Sequence, residues 1–487
     1  CDDHHGALSV SGGAYAPAIT VKVVAGAKAT LARAAFAKTS GWVLDGVSIS
    51  PSYAASAKPG DMVSIDAASS KVVVEHCELF SVPDASSWTA DQWINASSSG
   101  VSVRGTDVTI SRNKLRNVRF GISVDGKSAL IEHNEIVNFS ADGMRGLGDD
   151  GVFQYNVVKN AYVSDTDGDD NHDDGFQSWS VGPGGVGTGV VKGIVLRGNV
   201  IINREDPDQK LTNSLQGMGC FDGYFEGWVV ENNVVLTDHW HGISLYGARD
   251  SRIVNNTVID VNSKSPGPPW IMVTAHKDGT PSQNVIVRNN LATDYDVSGT
   301  NITQDHNTTL EDADLAKYFV DPARFDLRLL PDAPALDAAS ATDAPALDAD
   351  GIPRPQGAGI DLGAYEWHDP TTLPPDGGGG PSNGGATNNG GATSDGGATA
   401  SSGATSSAGA AGGGMSAGGA SAGSGAPSGG ASAGSPGDVD GGTGSAAHDD
   451  AGCGCRVGGS RGGRAGLSAV LALLAVAVRK RGRRSSR

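Results

Sequence analysis

The chain has 487 residues, of which 71 are Gly and only 6% are aromatic, and its formal charge is −18. That balance excludes several evenly packed globular domains. The acidity of the front part excludes nucleic acid as a partner, because the strongly basic run RKRGRRSSR is confined to the extreme C-terminus.

At the N-terminus, Cys1 admits two readings: a lipid-modified mature end, or a fragment that starts inside a strand, since HHGALSVSG already has strand character. From about residue 20 to 295 the sequence repeats itself. VVVEHCEL, VTISRNKL, ALIEHNEI, GVFQYNVV, IVLRGNVI, WVVENNVV, SRIVNNTV and VIVRNNLA align without gaps, with WVLDGVSI as a weaker first member. Their shared slot holds Asn113, Asn134, Asn156, Asn199, Asn233, Asn256 and Asn290, at a period of about 22 residues where no insertion intervenes. Between them run second strands, GVSVRG, GISVDG, GMRGLG, GFQSWS, GMGCFD and GISLYG. The alternation in both sets is that of half-buried strands. A unit this short has no room for a crossover helix, so the repeats predict an all-β parallel solenoid, with right-handed connections, over residues 1–320. At the Asn slot the expectation is a left-handed turn residue whose amides stack from coil to coil. Cys77 and Cys220 fall on apolar repeat positions and read as buried thiols; five cysteines do not suggest a stapled fold.

Register in a solenoid turns sequence into columns. Counting from Gly100, Gly121, Gly143, Gly175, Gly217 and Gly242, the first and third following positions are mainly apolar and point inward. The second column, facing solvent, includes Arg145 and Gln177; the fourth includes Trp179, Phe221 and Tyr246. An outward aromatic row suits sugar rings, unless the insertions near 180–192 and 204–214 fold over it. The position before the Gly holds Phe120, Asp142, Asp174, Gln216 and His241, with a direction that parity leaves open and with Asx-turn capping as the plain alternative for the two acids. Leading into this coil is DTDGDDNHDDGFQSW. Asp165, Asp167, Asp169 and Asp170, with Gly168 between them, are flexible oxygen ligands of the kind Ca²⁺ takes, or else a solvated acidic turn. His172, Asp173 and Asp174 follow at once.

After the repeats, RFDLRLLPDAPALDAA and GIPRPQGAGIDLGAYEW form a closing segment, 321–369. Residues 370–450 are a linker of mostly Gly, Ala, Ser and Thr, too poor in apolar surface to offset chain entropy, so disorder is expected. Residues 451–487 carry Cys453-Gly454-Cys455, an apolar run of about 14 residues predicted as a short membrane or sorting helix, and an Arg cluster. That run is shorter than the roughly 20 residues that span a bilayer.

The repeat resembles the right-handed parallel β-helix proteins, a superfamily rich in polysaccharide lyases, epimerases and hydrolases. The closing segment looks like that of bacterial surface β-helix proteins, where a strand and an extended tail cover the last coil. The order Cys-Gly-Cys, short helix, Arg cluster resembles the myxobacterial surface-sorting signal, which implies export, attachment to the cell envelope and processing near the cysteines.

These features make the leading expectation an exported, monomeric protein acting on an acidic polysaccharide, by β-elimination or C5-epimerisation of uronate units. Both reactions need a neutralised carboxylate and a proton-transfer group. Arg145 and bound Ca²⁺ would neutralise, His172 or His241 would act as base with Lys277 as a further candidate, and Gln177, Trp179, Phe221, Tyr246 and Asp142 would hold sugar. A glycoside hydrolase using Asp142, Asp173 and Asp174 is the second enzyme reading, and a non-catalytic glycan-binding adhesin the third.

Overall fold

A computed structural model describes residues 6–54, 58–164, 173–260, 262 and 266–369. The linker and sorting-tail expectations, and that for Cys1, lie outside the described residues. Three parallel sheets of 11 strands each run along a solenoid, and each coil adds one strand to every sheet. In the first sheet the sixth to tenth coils contribute Met144–Gly146, Asp174–Trp179, Gln216–Asp222, His241–Tyr246 and Trp270–Thr274.

The inward columns stack as the alternation requires. Val101, Ile122, Met144, Phe176, Met218 and Ile243 are register partners in turn, and all are buried. Each such side chain contributes roughly 1.5–3 kcal/mol by leaving water. The recurrent Gly ahead of them has a steric cause: a Cβ on Gly121 would stand 2.2 Å from the carbonyl oxygen of Gly143.

The Asn slot forms one buried ladder. Each Nδ2 donates to the Oδ1 of the next Asn at 2.9–3.0 Å, from Asn113 through 134, 156, 199, 233, 256 and 290 to Asn307, which the alignment had not included. Each Oδ1 also accepts the backbone N–H of the Asn before it, and each Nδ2 donates again to a carbonyl of the preceding coil, as Asn156 does to Ile131. The left-handed residue is not this Asn but the one before it: Arg112, His133, Tyr155, Asn232, Asn255 and Asn289 have φ of 53 to 59°. That shift corrects the turn geometry expected from the sequence. The turn needs the positive φ one step earlier, and leaves the ladder Asn facing inward.

Asn232, Asn255 and Asn289 turn their amides outward and tie down the closing segment. Asn232 donates to the Leu347 carbonyl at 2.6 Å, Asn255 to that of Asp361 at 3.1 Å, and Asn289 to that of Ser340 at 2.9 Å. Arg354, fully buried, donates to Glu366 at 2.8 Å and to Asn232 at 3.3 Å. Between these anchors Phe319, Leu327, Leu329, Leu362 and Tyr365 pack on Val200, Ile202, Val234, Leu236 and Leu291 of the third sheet. Late third-sheet strands such as Val200–Ile202 are therefore apolar on both faces, whereas Lys114–Val118 carries Lys114 and Arg116 outward. The closing segment lies along the third sheet rather than only over the last coil.

Candidate functional site

The outer face of the first sheet repeats one device. In three coils the residue before the Gly bonds the side chain three positions on: Asp142 with Arg145, Asp174 with Gln177 at 2.9 Å, and His241 with Ser244 at 2.9 Å. This settles the direction left open by parity, since the turn tips these side chains toward the outer face. In the eighth coil the same pair is Gln216 and Gly219, so Gln216 has no side chain to meet there.

Beside that break lies a cavity of about 190 Å³, lined by Gln177, Ser178, Trp179, Gln216, Gly219, Phe221, Asp222, His241, Tyr246 and Lys277. Its rings are half-buried. Phe221 meets Tyr246 edge-on at 5.2 Å and His241 at 4.6 Å, and the rings of His241 and Tyr246 are 6.4 Å apart. Lys277 reaches in from the loop after the tenth coil's strand and pairs with Asp222 at 2.7 Å. Burial pushes the Tyr246 phenol upward, an effect the Lys277 charge opposes.

Trp270 Nε1 lies 3.4 Å from His241 Nδ1. An indole N–H can only donate, so Nδ1 accepts and the neutral imidazole carries its proton on Nε2. In that tautomer Nε2 is the nitrogen with a proton to give.

Behind the cavity, Arg145 is held by Asp142 and sandwiched between Phe120, 3.9 Å from its guanidinium, and Trp179 at 5.1 Å. Asp142 Oδ1 also accepts the Asp174 backbone N–H at 3.0 Å. Asp174 is wholly buried, and burial, then the charges of Asp142 and Asp173, push its carboxyl well above the usual range.

Residues 99–315 match the family model described as the right handed beta helix region. With the three stacked parallel sheets, this match makes the solenoid region a right-handed parallel β-helix. Among curated proteins no relative matches the sequence. Solved structures similar to it include a pectate lyase (15% identity, covering 67% of this chain and 88% of that one, TM-score 0.37). The A-module of a mannuronan C-5 epimerase from Azotobacter vinelandii is 12% identical, over 63% of this chain and 91% of its own, with TM-score 0.25. A family 6 polysaccharide lyase from Pseudopedobacter saltans is 11% identical, over 67% and 92%, with TM-score 0.31. Likeness at this level says nothing of the reaction of this β-helix.

Of the residues singled out from sequence, the β-helix brings Gln177, Trp179, Phe221, Tyr246, His241 and Lys277 to one cavity. Asp142, Arg145 and Asp174 stand behind it. Asp165, Asp167, Asp169, Asp170 and His172 lie outside the described residues, and Asp173 marks where that loop rejoins the first sheet. The three rings are not one column. The eighth strand carries an extra residue, so Trp179 pairs with Asp222 and Phe221 is bulged out of register. Gln216, Gly219, Asp222, Ser244 and Trp270 were given no role from the sequence; Gln216 had a signal in its column with Asp174 and His241, and Gly219 and Ser244 in the outward column of Arg145 and Gln177.

For calcium, the described residues of the cavity offer a poor fit. Asp142 is engaged by Arg145 and Asp222 by Lys277. Among the described residues the one acid and imidazole trio with ligand atoms within 4.8 Å is Asp45, Glu75 and His76 on second-sheet coils, where Lys22 already pairs with Asp45 at 2.8 Å.

Proposed function

We propose that this β-helix acts on an acidic polysaccharide, binding a uronate unit in the first-sheet cavity and moving the proton on its C5, with elimination or epimerisation as the outcome. The observation that carries the reading is the placement of His241 and Tyr246, 6.4 Å apart between ring centres, in a cavity that also receives Lys277 and Gln216. Lys277 and the amides of Gln177 and Gln216 take the substrate carboxylate, which lowers the cost of the carbanion character that develops at C5. Tyr246 accepts the C5 proton as the phenolate, having first released its own proton to solvent; burial works against that ionisation and the Lys277 charge favours it. His241, with its proton on Nε2, protonates the departing glycosidic oxygen, or C5 from the other face if the bond stays intact. The paired-carboxylate hydrolase is not favoured, because Asp142 and Asp174 are buried and do not line the cavity.

The test is incubation of the full chain with a panel of uronate polysaccharides, following ultraviolet absorbance of unsaturated ends and, separately, the C5 configuration of the product. Binding without either change would make the protein a glycan-binding module and sink the enzymatic reading. Trp179→Ala is expected to weaken glycan binding by roughly 1–3 kcal/mol through lost apolar contact, measured by calorimetric titration. Unchanged affinity would remove Trp179 from the sugar site.

A further inference from the structure

Asp174 Oδ1 and Gln216 Oε1 are both buried, and neither has a hydrogen-bond partner among the described residues. Both are acceptors when Asp174 is ionised, and leaving two such atoms dry is costly. They belong to register partners on adjoining coils. Asp174 Oδ2 already takes the Gln177 amide, while Oδ1 leans toward the eighth coil: a Cβ on Gly219 would lie 2.1 Å from it. Gly219 is also the reason Gln216 lacks the partner within its own coil that Asp142, Asp174 and His241 have. A proton shared between the two oxygens would satisfy both.

We propose that Asp174 is held as a neutral carboxylic acid that donates from Oδ1 to Gln216 Oε1, and so fixes the Gln216 amide with its N–H groups facing the cavity. In that orientation Gln216 offers donors to a carboxylate; the reversed amide would present an oxygen and repel it. Asp174 is thus a positioning residue. Its surroundings favour the neutral form: Asp142 and Asp173 crowd it, Cys220 is a buried thiol beneath the same strands, and the cation that faces it among the described residues, Arg145, is engaged by Asp142. The carboxylate target rests on the uronate reading above; the Asp174–Gln216 unit does not.

Two measurements on the full, unliganded protein test the unit, with Asp174→Asn as the isosteric variant that donates without titrating. Parent-minus-variant difference infrared spectra at neutral pH should show a protonated carboxyl band, since other buried acids cancel. The Gln216 side-chain amide resonance, assigned with Gln216→Ala, should move as that band disappears on raising pH in the parent and stay fixed in the variant. Oligogalacturonate and oligomannuronate affinity should then fall about ten-fold per pH unit beyond that point in the parent alone. An absent band overturns the proposal, and so does a Gln216 resonance that titrates alike in both proteins. If band and resonance behave as expected but neither oligouronate binds, the unit stands and the uronate reading falls.

Discussion

Asn199→Ala is expected to destabilise the solenoid by roughly 3–9 kcal/mol, a large share of what holds a domain folded. Asn199 is fully buried at mid-ladder. Its Oδ1 accepts the Asn156 backbone N–H at 3.1 Å and the Asn156 amide at 3.0 Å, and its Nδ2 donates to the Phe153 carbonyl at 2.8 Å. The substitution leaves those three groups in a dry interior, at about 1–3 kcal/mol each. Asp is expected to be no better than Ala, because it sets an oxygen against the Phe153 carbonyl and the Asn233 Oδ1. At the open end of the ladder, half-buried Asn307→Ala should cost only about 1 kcal/mol. Denaturant midpoints at unchanged slope are the measurement. Equal costs at 199 and 307 would show that the ladder is not a cooperative source of stability.

His241→Ala should lower turnover by about 10²–10⁴-fold while uronate affinity changes little, because a proton donor acts mainly in the transition state. Substitution of Ser244, which shares Nδ1 with Trp270, should have a smaller effect on turnover. The relevant data are kcat and KM on whichever uronate polymer the parent converts, read with dissociation constants for the same polymer. Full turnover without His241 would assign the proton transfer elsewhere, and loss of affinity equal to loss of turnover would make His241 a binding group.

The solenoid was legible because its causes are local and repeated. Alternation fixed the inward columns, a period too short for helices fixed the topology, and Asn at one slot announced the ladder. Gln177 followed from column counting; His241 shared a column with Asp174, but it stands at a register shift and its direction did not follow from parity. The failures share a physical origin in breaks of that period. An extra residue in Gln216–Asp222 displaced Phe221 and brought Asp222 opposite Trp179. The missing side chain at Gly219 lets Asp174 Oδ1 and the Phe221 ring close in where a Cβ would stand, a feature that pattern reading scores as a neutral position. Nor could sequence show that Arg145 spends its charge on Asp142 between two rings, or that Trp270, a coil away, decides which imidazole nitrogen holds the proton. The Asn-Asn doublets at 232–233, 255–256 and 289–290 looked like emphasis of one slot, yet each first Asn serves the closing segment.

Those doublets sit at the edge between the second and third sheets, and residues 361–366 are fastened there. In a three-sided prism that edge is opposite the first sheet. Residues 361–366 are therefore held on the side of the prism away from the first sheet, so the closing segment braces the solenoid from behind and leaves the cavity-bearing sheet to its own side chains.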